Sequence, residues 1–113
     1  VEEGPMIVRT WKCQALAAQA EAYHAYLIRT VFASLRPIRG HRGAYLLKRE
    51  VGDRVEFEVI SFWDTAEAIK EYAGEEIGRA MVKPEAQAML AQFDEFVDHY
   101  NLAHDTVGGL TGA

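Results

Sequence analysis

The chain has 113 residues, 50% hydrophobic and 26% charged, with nine glycines, three prolines and a single cysteine. That length makes one domain with one modest core and excludes two-lobed architectures such as Rossmann enzymes and TIM barrels. Twelve Lys plus Arg against 17 Asp plus Glu give a formal net charge of -5, the wrong sign for a protein whose main partner is a nucleic-acid backbone, and the lone Cys13 excludes an intrachain disulfide or a thiolate cluster.

In chain order, Met6 to Cys13 contains Ile7, Val8, Thr10 and Trp11, a β-branched and aromatic run that predicts the first strand. From Ala17 to Leu35 there is no glycine or proline, and Tyr23, Leu27, Thr30, Val31 and Ser34 recur at helical steps. This long helix should end at Arg36-Pro37-Ile38-Arg39-Gly40, where the residue before proline leaves helical space and glycine allows the reversal. Ala44 to Glu50 and Val55 to Trp63, joined through Val51-Gly52-Asp53-Arg54, predict a β-hairpin. Asp64 or Thr65 then caps a second helix that carries Glu67 in its first turn and stops near Gly74. A shorter helical piece is expected over Glu76 to Val82, and Pro84 restarts a helix through Leu90. Phe93 to Leu102 reads as the last strand. Residues 1–5 form an N-terminal extension, 6–102 the domain and 103–113 a flexible tail.

The order strand, helix, strand, strand, helix, strand is the split βαβ arrangement of the ferredoxin-like α+β fold, a four-stranded antiparallel sheet with helices on one face. Its strands do not alternate cleanly. Val55, Phe57, Val59 and Trp63 point one way, while Ile60 and Phe62 share the other face with Glu56 and Glu58; on the preceding strand Tyr45 and Leu47 oppose Ala44 and Leu46. Apolar groups on both faces predict a homodimer packed sheet against sheet, with Ile60, Phe62, Leu46 and Ala44 at the interface. No apolar run is long enough to cross a bilayer, and the beginning, Val1-Glu2-Glu3-Gly4-Pro5, is acidic where a signal peptide is basic, so a cytoplasmic protein with no membrane partner is expected.

The run Glu56-Phe57-Glu58-Val59-Ile60-Ser61-Phe62-Trp63-Asp64-Thr65, followed by Ala68-Ile69 and Tyr72-Ala73-Gly74, resembles the antibiotic biosynthesis monooxygenase family. Tyr23 with Tyr26-Leu27, the turn Arg39-Gly40-His41-Arg42-Gly43, Pro84 and His99-Tyr100 extend the similarity over roughly Met6 to Leu102. The resemblance implies a dimeric α+β barrel. It further implies either a cofactor-independent monooxygenase that oxidises an electron-rich phenol, quinol or anthrone-like molecule with O2, or a haem-degrading enzyme. Haem degraders of the family place an asparagine in the first strand, a tryptophan in the second helix and a histidine about ten residues on. Strand one here has no asparagine, and the other two positions fall at Tyr72 and Val82, so haem is disfavoured and no cofactor is expected. The family's polyketide oxygenases use Asn, Trp, Tyr and Arg around a pocket between helices and sheet. Trp63, Tyr72 and an arginine can be matched to that set, whereas Asn101, the chain's asparagine, lies at the far end of the last strand.

Read for their own chemistry, Trp63 ends a strand where an indole can wall a pocket and donate its N–H, or simply fill the core. Tyr72 and Tyr23 are candidate phenolic donors to a substrate. His99, in an apolar strand, is the candidate catalytic base, since imidazole titrates near neutrality. The pocket is expected between helices and sheet, with Trp63, Tyr72 and His99 on its wall. His24, His41, His99 and His104 fall on different elements with no metal-ligand spacing, so no metal site is expected. Arg36, Arg39, His41 and Arg42 make a cationic loop suited to an anionic ligand or to pairing with the excess carboxylates. Besides the oxygenase, a dimer of the same fold that holds a small hydrophobic ligand without turning it over fits these residues.

Overall fold

The computed structural model describes residues 4–107. Strand β1 (Ile7–Leu16) is three residues longer than its β-branched core suggests, because Gln14, Ala15 and Leu16 continue the ladder opposite Glu56, Val55 and Arg54. Residues 17–35 then form one continuous helical rod: a 3-10 turn (Ala17–Gln19), α1 (Ala20–Tyr26), a π-helical segment (Leu27–Phe32) and α2 (Ala33–Leu35), with helical dihedrals at each internal junction. Strands β2 (His41–Val51) and β3 (Arg54–Trp63) make the expected hairpin, closed at Gly52, whose φ of 63° only glycine adopts freely. Helix α3 (Ala66–Ala73) is capped by Thr65, whose hydroxyl accepts from the Ala68 N–H at 3.1 Å, and is stopped by Gly74 at φ 84°. Thr65, rather than Asp64, is thus the N-cap.

The C-terminal third departs from expectation in three places. The helix expected over Glu76 to Val82 is absent; 74–83 is an irregular strap. Its Gly78 lies mid-segment, where helix costs about 1 kcal/mol over alanine, and the strap's backbone finds partners elsewhere: Ala80 N–H donates to Glu95 O and Gly78 O accepts from Val97 N–H, both at 2.9 Å. Helix α4 (Pro84–Gln87) is a single turn that does not reach Leu90, because Leu90 joins a strand opposite Ala15. The last strand is broken into β4 (Leu90–Phe93) and β5 (Asp98–Asn101), both paired with β1, and the strap docks at the break through an Arg79 to Phe96 bridge.

The sheet therefore holds five strands in four lanes, ordered β2-β3-β1 and then β4 with β5, the antiparallel ferredoxin-like order with helices on one face. Register decides which face is inward. Arg9, Trp11, Cys13 and Ala15 oppose Ser61, Val59, Phe57 and Val55, and Leu46 opposes Val59, so all of these face the helices. This corrects the expected interface: Leu46 and Ala44 lie on the helix face, while Ile60, Phe62, Tyr45 and Leu47 lie on the open one. Two buried clusters fill the space under the helices. One gathers Cys13, Tyr23, Leu27 and Phe57, the other Leu35, Trp63, Ala68 and Ile69. Residues 1–3 of the expected N-terminal extension, and the expected flexible tail from residue 108 onward, lie outside the described residues. No described helix is long and apolar enough to cross a membrane.

Candidate functional site

The two clusters do not meet completely, and between them lies a chamber of about 70 Å³. Its floor is the sheet, with Arg9 and Trp11 of β1 and Val59 and Ser61 of β3; its roof is the helical rod, with Tyr23, Tyr26, Leu27, Val31 and Leu35. Tyr72 of α3, residues 80–83 of the strap, Ala86 of α4 and Val97 complete the wall. Tyr26, Val31, Tyr72, Met81 and Lys83 also line a wider cleft of about 390 Å³ together with Thr30, Ser34, Ile38 and Glu71, so the chamber opens outward through that cleft. The π-helical segment lies directly over this passage: Leu27 and Val31 come from it, and the widened turn sets their spacing along the roof.

The chemically decisive wall residue is Arg9. It is 7% exposed, and among the described residues it has no carboxylate partner. Burial pushes its guanidinium below the ordinary arginine value, yet an arginine stays charged at any physiological pH. A cation removed from water without a counter-ion is costly. Here it is held by neutral acceptors alone: Nη1 donates to Ile77 O at 2.6 Å and to Nε2 of His99 at 3.1 Å. Its guanidinium carbon also sits 6.0 Å from the centre of the Tyr72 ring. The guanidinium thus stands in the chamber wall with no counter-ion among the described residues.

Tyr72 and Tyr23, the candidate phenolic donors, both line the chamber. Burial raises the Tyr72 hydroxyl above the ordinary phenol value, and the neighbouring Arg9 only partly offsets it. The hydroxyl therefore stays protonated and is available as a donor. Tyr23 is 1% exposed, its hydroxyl lies 3.5 Å from Cys13 Sγ, and burial raises its value strongly. The same burial pushes the Cys13 thiol up to about 11, which keeps it an unreactive thiol.

The other two candidates lie behind the wall. Trp63 is fully buried, stacked on Tyr72 at 6.4 Å with 30° between the rings, and its indole N–H donates to Ser61 Oγ at 2.8 Å. Ser61, not Trp63, faces the chamber. His99 sits beyond Arg9 and borders a separate surface cleft of about 210 Å³ with Ile7, Ile77, Tyr100 and Asn101. It reaches the chamber only through Arg9, its partner on β1, and does not itself line it. Among the described residues no group of three His, Cys, Asp or Glu side chains is placed to hold a metal ion. The basic loop is partly neutralised, since Arg42 Nε lies 2.8 Å from Asp64 Oδ1.

Arg9 and Ser61 carried a signal that residue-type reasoning passes over. Both occupy inward positions of otherwise apolar alternating series, Ile7-Arg9-Trp11-Cys13 and Val59-Ser61-Trp63, where a polar side chain is a departure that demands a partner.

An antiparallel sheet with helices on one face makes this a small α+β protein, and comparison with solved structures gives the fold a more particular form. A Bacillus cereus protein provisionally named an antibiotic biosynthesis monooxygenase matches at 18% identity over 91% of this chain and 96% of its own, with a TM-score of 0.63. A Pseudomonas aeruginosa protein matches at 18% identity, covering 92% of this chain and all of its own, with a TM-score of 0.66. SnoaB of Streptomyces nogalater, a cofactor-independent oxygenase, matches at 17% identity over 93% of this chain and 98% of its own, with a TM-score of 0.56. The chain thus has the fold of the antibiotic biosynthesis monooxygenases. No protein-family model and no curated protein matches it.

Proposed function

We propose that this chain is a cofactor-independent monooxygenase that oxidises an electron-rich aromatic, a phenol, quinol or anthrone, with O2, as a homodimer joined through its open sheet faces. The observation that carries the reading is the buried Arg9 guanidinium, without a carboxylate partner among the described residues, in the wall of an apolar chamber. The apolar roof takes the rings, and Arg9 with the Tyr72 hydroxyl takes the oxygen. A cation at that distance favours the ionised phenol or enol over the neutral one, in a place with little water to compete. The anion passes one electron to O2, and the two radicals combine to a carbon–peroxide bond. Loss of water then leaves a carbonyl: one oxygen atom enters the product and the other leaves as water, with two hydrogens that come from the CH2 of an anthrone, or from one ring C–H and the hydroxyl of a phenol or quinol. The protein's part is to hold the anion and exclude solvent.

The experiment is oxygen uptake with an anthrone, a quinol and a phenol, comparing the wild type with Arg9→Met. Loss of an electrostatic anchor of this kind lowers kcat/KM by roughly a hundredfold or more. Among the described residues no carboxylate or imidazole lines the inner chamber. That observation favours a second reading, a non-catalytic holder of a small hydrophobic anion. Arg9-dependent binding without oxygen uptake selects it.

A further inference from the structure

We propose that His99 is a positioning residue for this anion site: it holds the Arg9 guanidinium toward the chamber, and only the neutral imidazole does so, which makes anion binding in the chamber pH-dependent. The inference rests on the reading of Arg9 as the anion anchor.

Arg9 and His99 are direct partners across β1 and β5, so both side chains leave the sheet on the helix face. Guanidinium has no acceptor, so in the 3.1 Å contact Arg9 Nη1 donates and His99 Nε2 carries the lone pair, leaving the imidazole proton on Nδ1. The same Nη1 donates to Ile77 O of the strap at 2.6 Å. One nitrogen is thus tied from two sides by groups that do not line the chamber, which leaves the rest of the fork for a ligand. His99 also borders the outer cleft, so protons reach it without crossing the chamber.

Two charged groups act on the ring among the described residues: Arg9, which faces it from β1, and Asp98, its neighbour on β5, whose side chain leaves the sheet on the opposite face; the strap presents the apolar Ile77. Burial and then Arg9 push the imidazole below its ordinary value, against a smaller opposite pull from Asp98. Near neutrality it is therefore an acceptor. Once protonated, it turns a second N–H and a like charge on Arg9 at 3.1 Å, and the contact is lost.

The test is equilibrium binding of dinitrophenolate, a phenol anion that keeps its charge throughout, to the full chain between about pH 8 and about pH 5.5, across the imidazole range. Wild type is expected to bind about tenfold more weakly at the acid end, the size of one lost charge-assisted hydrogen bond. His99→Gln, whose amide oxygen accepts from Arg9 and does not titrate, is expected to match wild type at the alkaline end and to keep that affinity on acidification. His99→Phe is expected to bind weakly throughout; if it does not fold, the comparison of wild type with His99→Gln decides alone. A wild-type affinity that is flat or rises on acidification, or a His99→Gln protein that titrates like wild type, overturns the positioning role while leaving the anchor intact. Absence of any binding that depends on Arg9, judged with Arg9→Met, overturns the anchor itself.

Discussion

The indole N–H of Trp63 donates to the hydroxyl of Ser61, two residues earlier on the same strand and the same face, at 2.8 Å. Both side chains are out of water, Trp63 fully and Ser61 at 4% exposure. The indole is therefore committed to the fold, and its effect on a ligand passes through Ser61 and through the ring it stacks on, Tyr72.

Trp63→Phe should accordingly cost stability rather than binding. It leaves a buried hydroxyl without its donor and removes ring volume from a packed cluster, together about 1–3 kcal/mol. Denaturant midpoints measure the first effect and titration with dinitrophenolate the second, where a change within about twofold is expected. A variant as stable as wild type that binds much more weakly would put the indole on the chamber wall after all.

The element order was legible because each boundary carries local chemistry. Pro37 with Gly40, Gly52 in the hairpin, Thr65 as cap and Gly74 as stop are decided within a few residues of chain. Tyr72 and Tyr23 were legible as wall residues because each sits on the inward stripe of its helix. What the sequence hid depends on contacts between distant segments. The strap at 74–83 exchanges helix for backbone bonds to Glu95 and Val97, and the last strand is broken at that segment, so His99 pairs with Arg9 in a register different from that of Phe93 with Cys13. Strand parity was visible in β2, but the choice of inward face comes from its register with β3, which turns Leu46 toward the helices and Leu47 away. Arg9 was hidden for a further reason: its acceptors, Ile77 O and His99, lie 68 and 90 residues along the chain.

Gly40→Ala is expected to be strongly destabilising. Gly40 has φ 95°, which L side chains rarely adopt, and an added Cβ would lie 2.8 Å from the Cβ of Ala68 in α3. Backbone strain of about 1–2 kcal/mol and an overpacking cost of similar size add, and at this chain length each kcal/mol moves Tm by roughly 4–8 °C. A fall in Tm of about 10 °C or more is expected in a calorimetric scan. An unchanged Tm would mean that α3 shifts freely, and Tyr72 with it.

Acid should destabilise the protein through two imidazoles. His41 packs its ring 4.9 Å from that of Trp63, and its Nε2 is buried without a hydrogen-bond partner among the described residues. Burial pushes it below the ordinary value of 6.5, partly offset by the Gly43 backbone, and burial followed by Arg9 does the same to His99. Both groups therefore bind protons more readily in the unfolded chain, so stability rises with pH through this window and is lost as pH falls below about 6.5. The urea midpoint should drop between about pH 7.5 and about pH 5, and less so in His99→Gln. Equal slopes in the two proteins would mean that the His99 proton is not linked to folding.

The open sheet face makes the last prediction. Tyr45 at 50% and Leu47 at 48% exposure lie on it, with Val51 and Leu16 beyond them and Tyr100 on β5. Phe62 on the same face is only 6% exposed, because Tyr45 stands edge-on over it at 5.8 Å. A single helix layer covers the other side of the sheet, so this apolar strip has no cover among the described residues. Burying side chains of this size at about 1.5–3 kcal/mol each offsets the orientational cost of association, and light scattering at micromolar concentration should give twice the 12.7 kDa chain mass. Phe62→Glu would disturb the monomer and the interface together, since Phe62 is already covered. Leu47→Glu separates the two: a half-exposed position on the edge strand tolerates a carboxylate in a free monomer at the modest cost of a solvated like-charge pair with Glu58, whereas across a dry two-fold interface it brings buried like charges together. The expected outcome is a folded Leu47→Glu monomer with a wild-type circular dichroism spectrum. A wild-type mass of one chain, or an undiminished dimer in Leu47→Glu, would place the interface elsewhere or remove it.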